Sequence, residues 1–558
     1  MSDLAKIVPP KELDQQGRNI IFEHVFRRLA TYRNGHTLYA AAEQGEVLEM
    51  GDTGRDLQSP FEKTVDEWAN TLLKHVWAAC DQEGGTSNEC TPLNPLKDTS
   101  LRDLPRLPDA MHVSKVMSTV LFLHVATSKE YSAHTRSFIF LFSVPDEDAI
   151  VATLKNPEKA LGEAEKQASQ AKAKEEKSGR MWRRIGVGAG AVAGGVLIGV
   201  TGGLAAPLVG AGIGTFLGAI GVGGTAAGLL ATGLASSSIV CGALFGAYGA
   251  RSTAGMVGRH TKEVQDFEFV SVREPRETLA VRICISGWLD SREDVKKPWT
   301  VFKGDDTFAL QWEIEALEAL SNALGNLVKS NAIKYVRLQI LKRTVLASLL
   351  AGLSPLAMLK LGQITGIDNP WSNAVALAVK TGRVLGLCLA SRAFGTRPVT
   401  LVGYSLGSLV IFEALKYLAS LPVEETFHLI QDVYLFGLPA PTTSSTWKSV
   451  RRVVAGRFVN GYAGNDYILA FLSRVTDIKW EVAGLTPVAV QGIENVEFED
   501  VDGHLKWRGM IGKCLQRLGV DQIDDSEVRI QNETVGAKIA EEMDKDLDEA
   551  NMDEASKS

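Results

Sequence analysis

The chain has 558 residues, 45% of them apolar and 22% charged, which accommodates roughly three to four structural units and excludes wholesale disorder. The net charge of −7 speaks against a nucleic-acid partner. Six cysteines, Cys80, Cys90, Cys241, Cys284, Cys388 and Cys514, stand far apart without a CxxC pair; this excludes a disulfide scaffold and a zinc ribbon and suits a reducing compartment.

The first residues, MSDLAKIVPPKELDQQ, are charged and carry no apolar core, so no secretory signal peptide is expected there. Residues 1–150 read as a helical domain. IIFEHVFRRLATY, VDEWANTLLKHVWAAC and VSKVMSTVLFLHVA place apolar residues at three- and four-residue spacing. His24, His75, His112 and His124 match no metal-site spacing and read as core or surface residues. Residues 151–184 form a charged connector, rich in Ala, Glu, Lys and Gln, that favours helix or a weak coiled coil.

Residues 185–250 contain no charged side chain and 20 glycines. A bilayer span needs about 20 apolar residues, so the stretch is long enough for a transmembrane hairpin. Glycines recur four apart (Gly186, Gly190, Gly194; Gly210, Gly214, Gly218), which gives helices a smooth groove for close packing. Lys177, Arg180, Arg183 and Arg184 precede it, and Arg251, Arg259 and Lys262 follow. Cationic flanks on both sides place both ends in the cytoplasm. The expectation is an integral protein of an intracellular membrane, in the endoplasmic reticulum or the Golgi–endosome system. The alternative is a buried, glycine-rich core of a soluble domain.

Residues 265–520 change character. Short β-rich runs, LAVRICISGWL, TFALQWE, PVTLVGYS, DVYLFGL and GRFVNGY, alternate with longer helical segments, the pattern of an α/β fold with a mostly parallel sheet. Leu341 to Leu361 is apolar and interrupted by Pro355; it reads as a lid or interfacial helix, or as a core helix pair covering the sheet. From Asp521 to the end there are 13 Asp and Glu against 4 Lys and Arg, an acidic tail expected to be disordered.

Gly403-Tyr404-Ser405-Leu406-Gly407 fits G-x-S-x-G. Pro398 to Val402 reads as a buried strand leading in, and Ser408 to Leu415 as an apolar helix leading out. A nucleophile elbow needs that context: serine on a strained strand-to-helix turn, small residues letting the turn close, and a helix N-terminus facing the developing oxyanion. Ser405 is then the candidate nucleophile. Two histidines follow it, His428 and His504. His428 precedes a strand, at the end of the sheet away from the site, whereas His504 follows the last strand, Glu494 to Phe498. The candidate acid is Asp466, past the carboxyl end of the strand Arg457 to Asn460; Asp500 and Asp502 compete by their nearness to His504. Oxyanion donors are expected at Leu406 and in the turn Ser286-Gly287-Trp288, from the N–H of Trp288 or Leu289. No metal or organic cofactor is implied.

The order of charged helix, uncharged glycine-rich stretch and hydrolase half resembles the transmembrane and coiled-coil domain-containing protein four family. Matching elements are ISGW (through Trp288), LQWE (Leu310 to Glu313), GYSLGS (Gly403 to Ser408), FGLPAP (Phe436 to Pro441), NGYAGNDYIL (Asn460 to Leu469) and DGHLKW (Asp502 to Trp507). The resemblance implies an α/β-hydrolase relative acting as a membrane lipase, with Ser405, Asp466 and His504 as its triad. Ser286-Gly287 stands where a His-Gly is usual. The leading expectation is a membrane-anchored serine hydrolase acting on membrane lipid esters. The alternatives are a catalytically inactive membrane adaptor or trafficking scaffold, and acyl transfer to a lipid alcohol. Protein partners would use the N-terminal helices or the acidic tail.

Overall fold

The computed structural model describes residues 3–8, 12–49, 56–80, 90–93, 99–160, 162–163, 230, 232–246, 264–329, 368–475, 481–501 and 503–534. These fall into two compact units. One is drawn from the spans Met1–Ala41, Asp56–Ala247 and Phe394–Arg397, the other from Ala42–Arg55, Tyr248–Ala393 and Pro398–Ser558.

The first unit is helical. Its elements are α1 (Asp3–Ile7), α2 (Gln15–Glu49, through Ala41), α3 (Gln58–Ala79), α4 (Ala110–Ser128), α5 (Ala133–Ile139), α6 (Glu147–Lys155) and α7 (Ser237–Phe245). Side-chain caps set the starts of three helices: Asp109 accepts from Met111 N–H, Ser132 from His134 N–H and Asp146 from Ala149 N–H, each satisfying an amide that the helix leaves without a partner. His36, His75, His124 and His134 are buried in this unit. The segment expected as a membrane hairpin lies outside the described residues except at 230 and 232–246. There, Leu230, Leu234, Val240 and Leu244 are buried, and α7 packs on α6 and α4. The charged connector is helical over 151–155 and again over 157–160, broken at Asn156, and its continuation beyond 163 lies outside the described residues.

The second unit is the α/β domain. Its strands are β1 (Phe267–Ser271), β2 (Val281–Ile285), β3 (Asp306–Trp312), β4 (Val399–Tyr404), β5 (Ile430–Phe436), β6 (Phe458–Tyr462) and β7 (Glu494–Glu497). They form one sheet in the order β1-β3-β2-β4-β5-β6-β7. β1 pairs antiparallel with β3, and every other pairing is parallel. β2 and β4 are buried along their whole length, which is why they read as continuous apolar runs rather than as alternation. The helices are α8 (Ile314–Lys329), α9 (Asp368–Ala390), α10 (Leu406–Ala419), α11 (Val423–Thr426), α12 (Ser444–Arg452), α13 (Tyr467–Val475) and α14 (Trp507–Arg517).

α9 lies against α10, and its glycines explain how closely. A Cβ on residue 382 would sit 2.6 Å from Val410 O, and one on residue 386 would sit 2.8 Å from the Tyr417 ring. Among the described residues one helical stretch, Pro370–Ala390, is long and apolar enough to cross a membrane, but 50% of it is buried within the protein. Leu341 to Leu361 lies outside the described residues.

Residues 42–49 contribute to this unit. Glu43 pairs with Arg452, which is 1% exposed, and Arg452 also donates to Ala419 O at 3.0 Å. Glu46 takes Lys448 Nζ at 2.5 Å and the Ser444 hydroxyl at 3.1 Å. At the other end, the chain remains structured past the boundary expected at Asp521. Ile523 bridges Phe302, Asp524 N–H donates to Val301 O, and Val528 is buried. Gln531 accepts from Gly512 N–H at 2.7 Å. Apolar Ile523 and Val528, set among acidic residues, anchor this part, and residues 535–558 lie outside the described residues.

Candidate active site

Ser405 sits between the last residue of β4 and the first of α10, at φ 54° and ψ −127°. A non-glycine residue at positive φ costs on the order of 1–3 kcal/mol and persists only where surrounding contacts enforce it. Those contacts are present. Ser405 N–H donates to Phe436 O at 2.8 Å. The Ser408 hydroxyl lies 2.7 Å from Gly403 O and accepts from Phe436 N–H at 3.0 Å, tying β4 to β5 beneath the turn. Gly407 faces the end of β2, where a Cβ would come within 2.0 Å of Ile285 O, so the turn closes only with glycine at this position.

His504 reaches the serine from a 3-10 turn, His504–Lys506, that follows β7 and precedes α14. Its Nε2 lies 2.6 Å from Ser405 Oγ, and its Nδ1 lies 2.7 Å from Asp466 Oδ2. Asp466 follows β6 and directly precedes α13, where its other carboxylate oxygen accepts Leu469 N–H at 3.0 Å. With Nδ1–H given to the carboxylate, Nε2 is left as an acceptor for the serine hydroxyl. The three side chains are fully buried. Low local polarity strengthens each hydrogen bond in such a relay.

The competing residues, and Asp432 of β5, lie elsewhere. Asp432 accepts Arg457 N–H at 2.7 Å, at the amino end of the parallel strands. Asp500 is exposed and paired with Lys513 at 2.6 Å, which lowers its pKa. Asp502 lies outside the described residues. His428 stacks edge-on with Phe427 just before β5.

Gly287 belongs to the loop after β2 and touches the elbow itself. A Cβ on residue 287 would lie 2.4 Å from Leu406 N and 2.2 Å from Tyr404 O. Leu406 is the first residue of α10, so its N–H has no intrahelical acceptor. The loop is fixed from several sides. Tyr404 O–H donates to Trp288 O at 3.1 Å. The Ser286 hydroxyl donates to Asp294 O at 2.8 Å and accepts from Trp299 Nε1 at 3.1 Å. Trp312 Nε1 donates to Ser286 O at 3.0 Å. Burial raises the Tyr404 phenol pKa far above its ordinary range, so this group remains a neutral donor to the loop.

Trp371, near the start of α9, packs edge-to-face on His504 with ring centroids 6.4 Å apart. It is fully buried, and its indole N–H has no acceptor among the described residues. Sequence reasoning passed over Trp371, as it did Ser408 and Asp294. Among the described residues no cluster of His, Cys, Asp and Glu could hold a metal ion.

No solved structure matches this chain. An uncharacterized membrane protein of Schizosaccharomyces pombe, C6F6.13c, is 33% identical over 524 residues, covering 88% of this chain and 87% of its own length. The rice transmembrane and coiled-coil domain-containing protein STS1 is 36% identical over 63% of this chain and 55% of its own. The probable lipase MIL1 of Saccharomyces cerevisiae is 36% identical over 56% of this chain, which spans only 28% of that protein. The family described as protein of unknown function DUF726 matches residues 180–521, more than half of the sequence, and this chain belongs to that family.

Proposed function

We propose that this protein is a membrane-anchored serine hydrolase acting on lipid esters. One observation carries the reading: a serine on a strained strand-to-helix turn, 2.6 Å from an imidazole whose other nitrogen is 2.7 Å from a buried carboxylate. Ser405 Oγ attacks the ester carbonyl carbon as His504 Nε2 takes its proton. Asp466 holds the imidazole in the required tautomer and stabilises its cation. Leu406 N–H and an amide of the Gly287–Leu289 loop receive the negative charge that develops on the carbonyl oxygen. His504 returns the proton to the departing alcohol, leaving an acyl-serine. Water, deprotonated by the same imidazole, then releases the carboxylic acid.

Two further observations support a lipid substrate. Relatives carry the names membrane protein and probable lipase, and residues 185–250 contain no charged side chain. In this reading the uncharged stretch is a hairpin with both flanks in the cytoplasm. It holds the catalytic unit where lipid esters are concentrated.

A fluorophosphonate probe tests the chemistry. Labelling of the wild-type protein and loss of label in Ser405→Ala are expected. Equal labelling of both, or none of either, replaces the hydrolase with a scaffold built on the same fold. Alkaline carbonate extraction tests the anchor: the protein stays in the membrane pellet, and release into the supernatant removes the hairpin.

A further inference from the structure

Two parts of the proposed machinery are far apart along the chain: the loop from Ser286 to Asp294 and the segment carrying His504. One side chain joins them. Arg508 lies in the first turn of α14, which begins directly after the 3-10 turn of His504. Its guanidinium pairs with the buried carboxylate of Asp294 and approaches Asp290 Oδ2 at 3.5 Å. It also lies over the Trp288 ring, 4.9 Å from the ring centre. Asp294 in turn organises the loop: its Oδ2 accepts Asp290 N–H at 2.9 Å and Ser291 N–H at 3.0 Å. Its backbone carbonyl receives the Ser286 hydroxyl. Arg508 thus contacts the loop through two carboxylates and one aromatic face, starting from the helix next to the turn that holds the base.

A guanidinium suits this role. It stays charged, presents a planar fork to carboxylates and stacks on an aromatic ring at the same time. Asp294 is 3% exposed, and a buried carboxylate left without its cation is strongly destabilised. Removing the cation therefore loosens the loop rather than leaving it in place. We propose that Arg508 is a positioning residue that locks the oxyanion loop, through Asp294 and Trp288, to the helix that directly follows the turn of the catalytic histidine. The proposal rests on the hydrolase reading above. Arg508 itself touches neither substrate nor the reacting atoms. It sets the distance between the loop amides and the carbonyl oxygen that Ser405 attacks, and a displacement of about 1 Å there costs on the order of 100-fold in rate.

The test measures the rate of fluorophosphonate labelling at Ser405 together with amide hydrogen exchange over residues 286–294 in the full-length protein. Arg508→Ala is expected to slow labelling about 100-fold and to speed exchange in the loop, with β4 and α10 unchanged. Arg508→Lys keeps the charge without the fork, so it falls between the two and serves if the alanine variant does not fold. Millimolar guanidinium in the medium restores part of the Arg508→Ala rate, which a general loss of stability would not allow. Labelling within about threefold of wild type, or slowed labelling with unchanged loop exchange, overturns the proposal. If wild-type Ser405 takes no label, the hydrolase reading fails by itself. Loop exchange then judges the clamp: faster exchange in Arg508→Ala keeps it, and unchanged exchange removes it.

Discussion

His75 in the helical unit and His504 in the α/β unit are both buried imidazoles, 5% and 0% exposed. His75 stacks edge-on with His124, ring centroids 5.4 Å apart, and its Nδ1 has no hydrogen-bond partner among the described residues. Burial, reinforced by the positive charge of Lys74, pushes its pKa down to about 4. His504 has a hydroxyl on one nitrogen and a carboxylate on the other. Enclosure alone therefore does not mark a candidate catalytic histidine. What separates the two is a carboxylate hydrogen-bonded to the ring, present for His504 and, among the described residues, missing for His75.

Exchanging these residues one at a time is the strongest way to break that contrast. His504→Ala is expected to lower ester hydrolysis and probe labelling by at least about 10³-fold, whereas His75→Leu leaves both near wild type. Comparable losses in the two variants, measured at equal folded fraction, would erase the distinction. A smaller effect is expected at the loop. Gly287→Ala forces a methyl group against Leu406 N and should cost about 10²-fold in kcat, the scale of a lost oxyanion donor. An unchanged kcat would remove the loop from the site.

The pH dependence of stability sharpens the other side. The folded protein holds His75 neutral down to about pH 4, while the unfolded chain protonates it near its ordinary value of about 6.5. Between those values the unfolded state binds the extra proton, so stability falls as pH drops through this window and levels off below it. The loss is on the order of a few kcal/mol. Thermal unfolding followed between pH 7 and 4 measures it, and His75→Leu should flatten the slope. An equal slope in that variant would assign the acid sensitivity elsewhere.

The sequence made the elbow legible because its signal is local: a buried strand, G-x-S-x-G and an apolar helix lie in one run of residues. The strands β2 to β6 were readable for the same reason, and β7 as the run just before the turn of His504. The edge strand β1, FEFVS, was missed; it is short, half-exposed and antiparallel, and so carries neither an apolar run nor βα alternation. Asp466 was open to competition from Asp500, because nearness in sequence imitates nearness in space. The structure brings Asp466 to His504 and leaves Asp500 on the surface with Lys513. Trp371, Asp294 and Arg508 carried no motif at all. Their roles arise from packing between segments far apart in the chain, which periodicity and spacing do not encode. For the glycine-rich stretch the legible part was its missing charge, whereas the burial of Leu234, Val240 and Leu244 among α4, α6 and α7 is a tertiary fact.

The pairing of Glu43 with Arg452 limits how this polypeptide can be divided. Arg452 is almost wholly enclosed, and its counter-charge comes from a position about four hundred residues upstream. A recombinant fragment starting anywhere after residue 49 would leave that guanidinium enclosed without its carboxylate, a defect worth about 3–5 kcal/mol. Supplying residues 42–49 as a separate peptide, or replacing Arg452 with a methionine, is then the route to a self-sufficient C-terminal half.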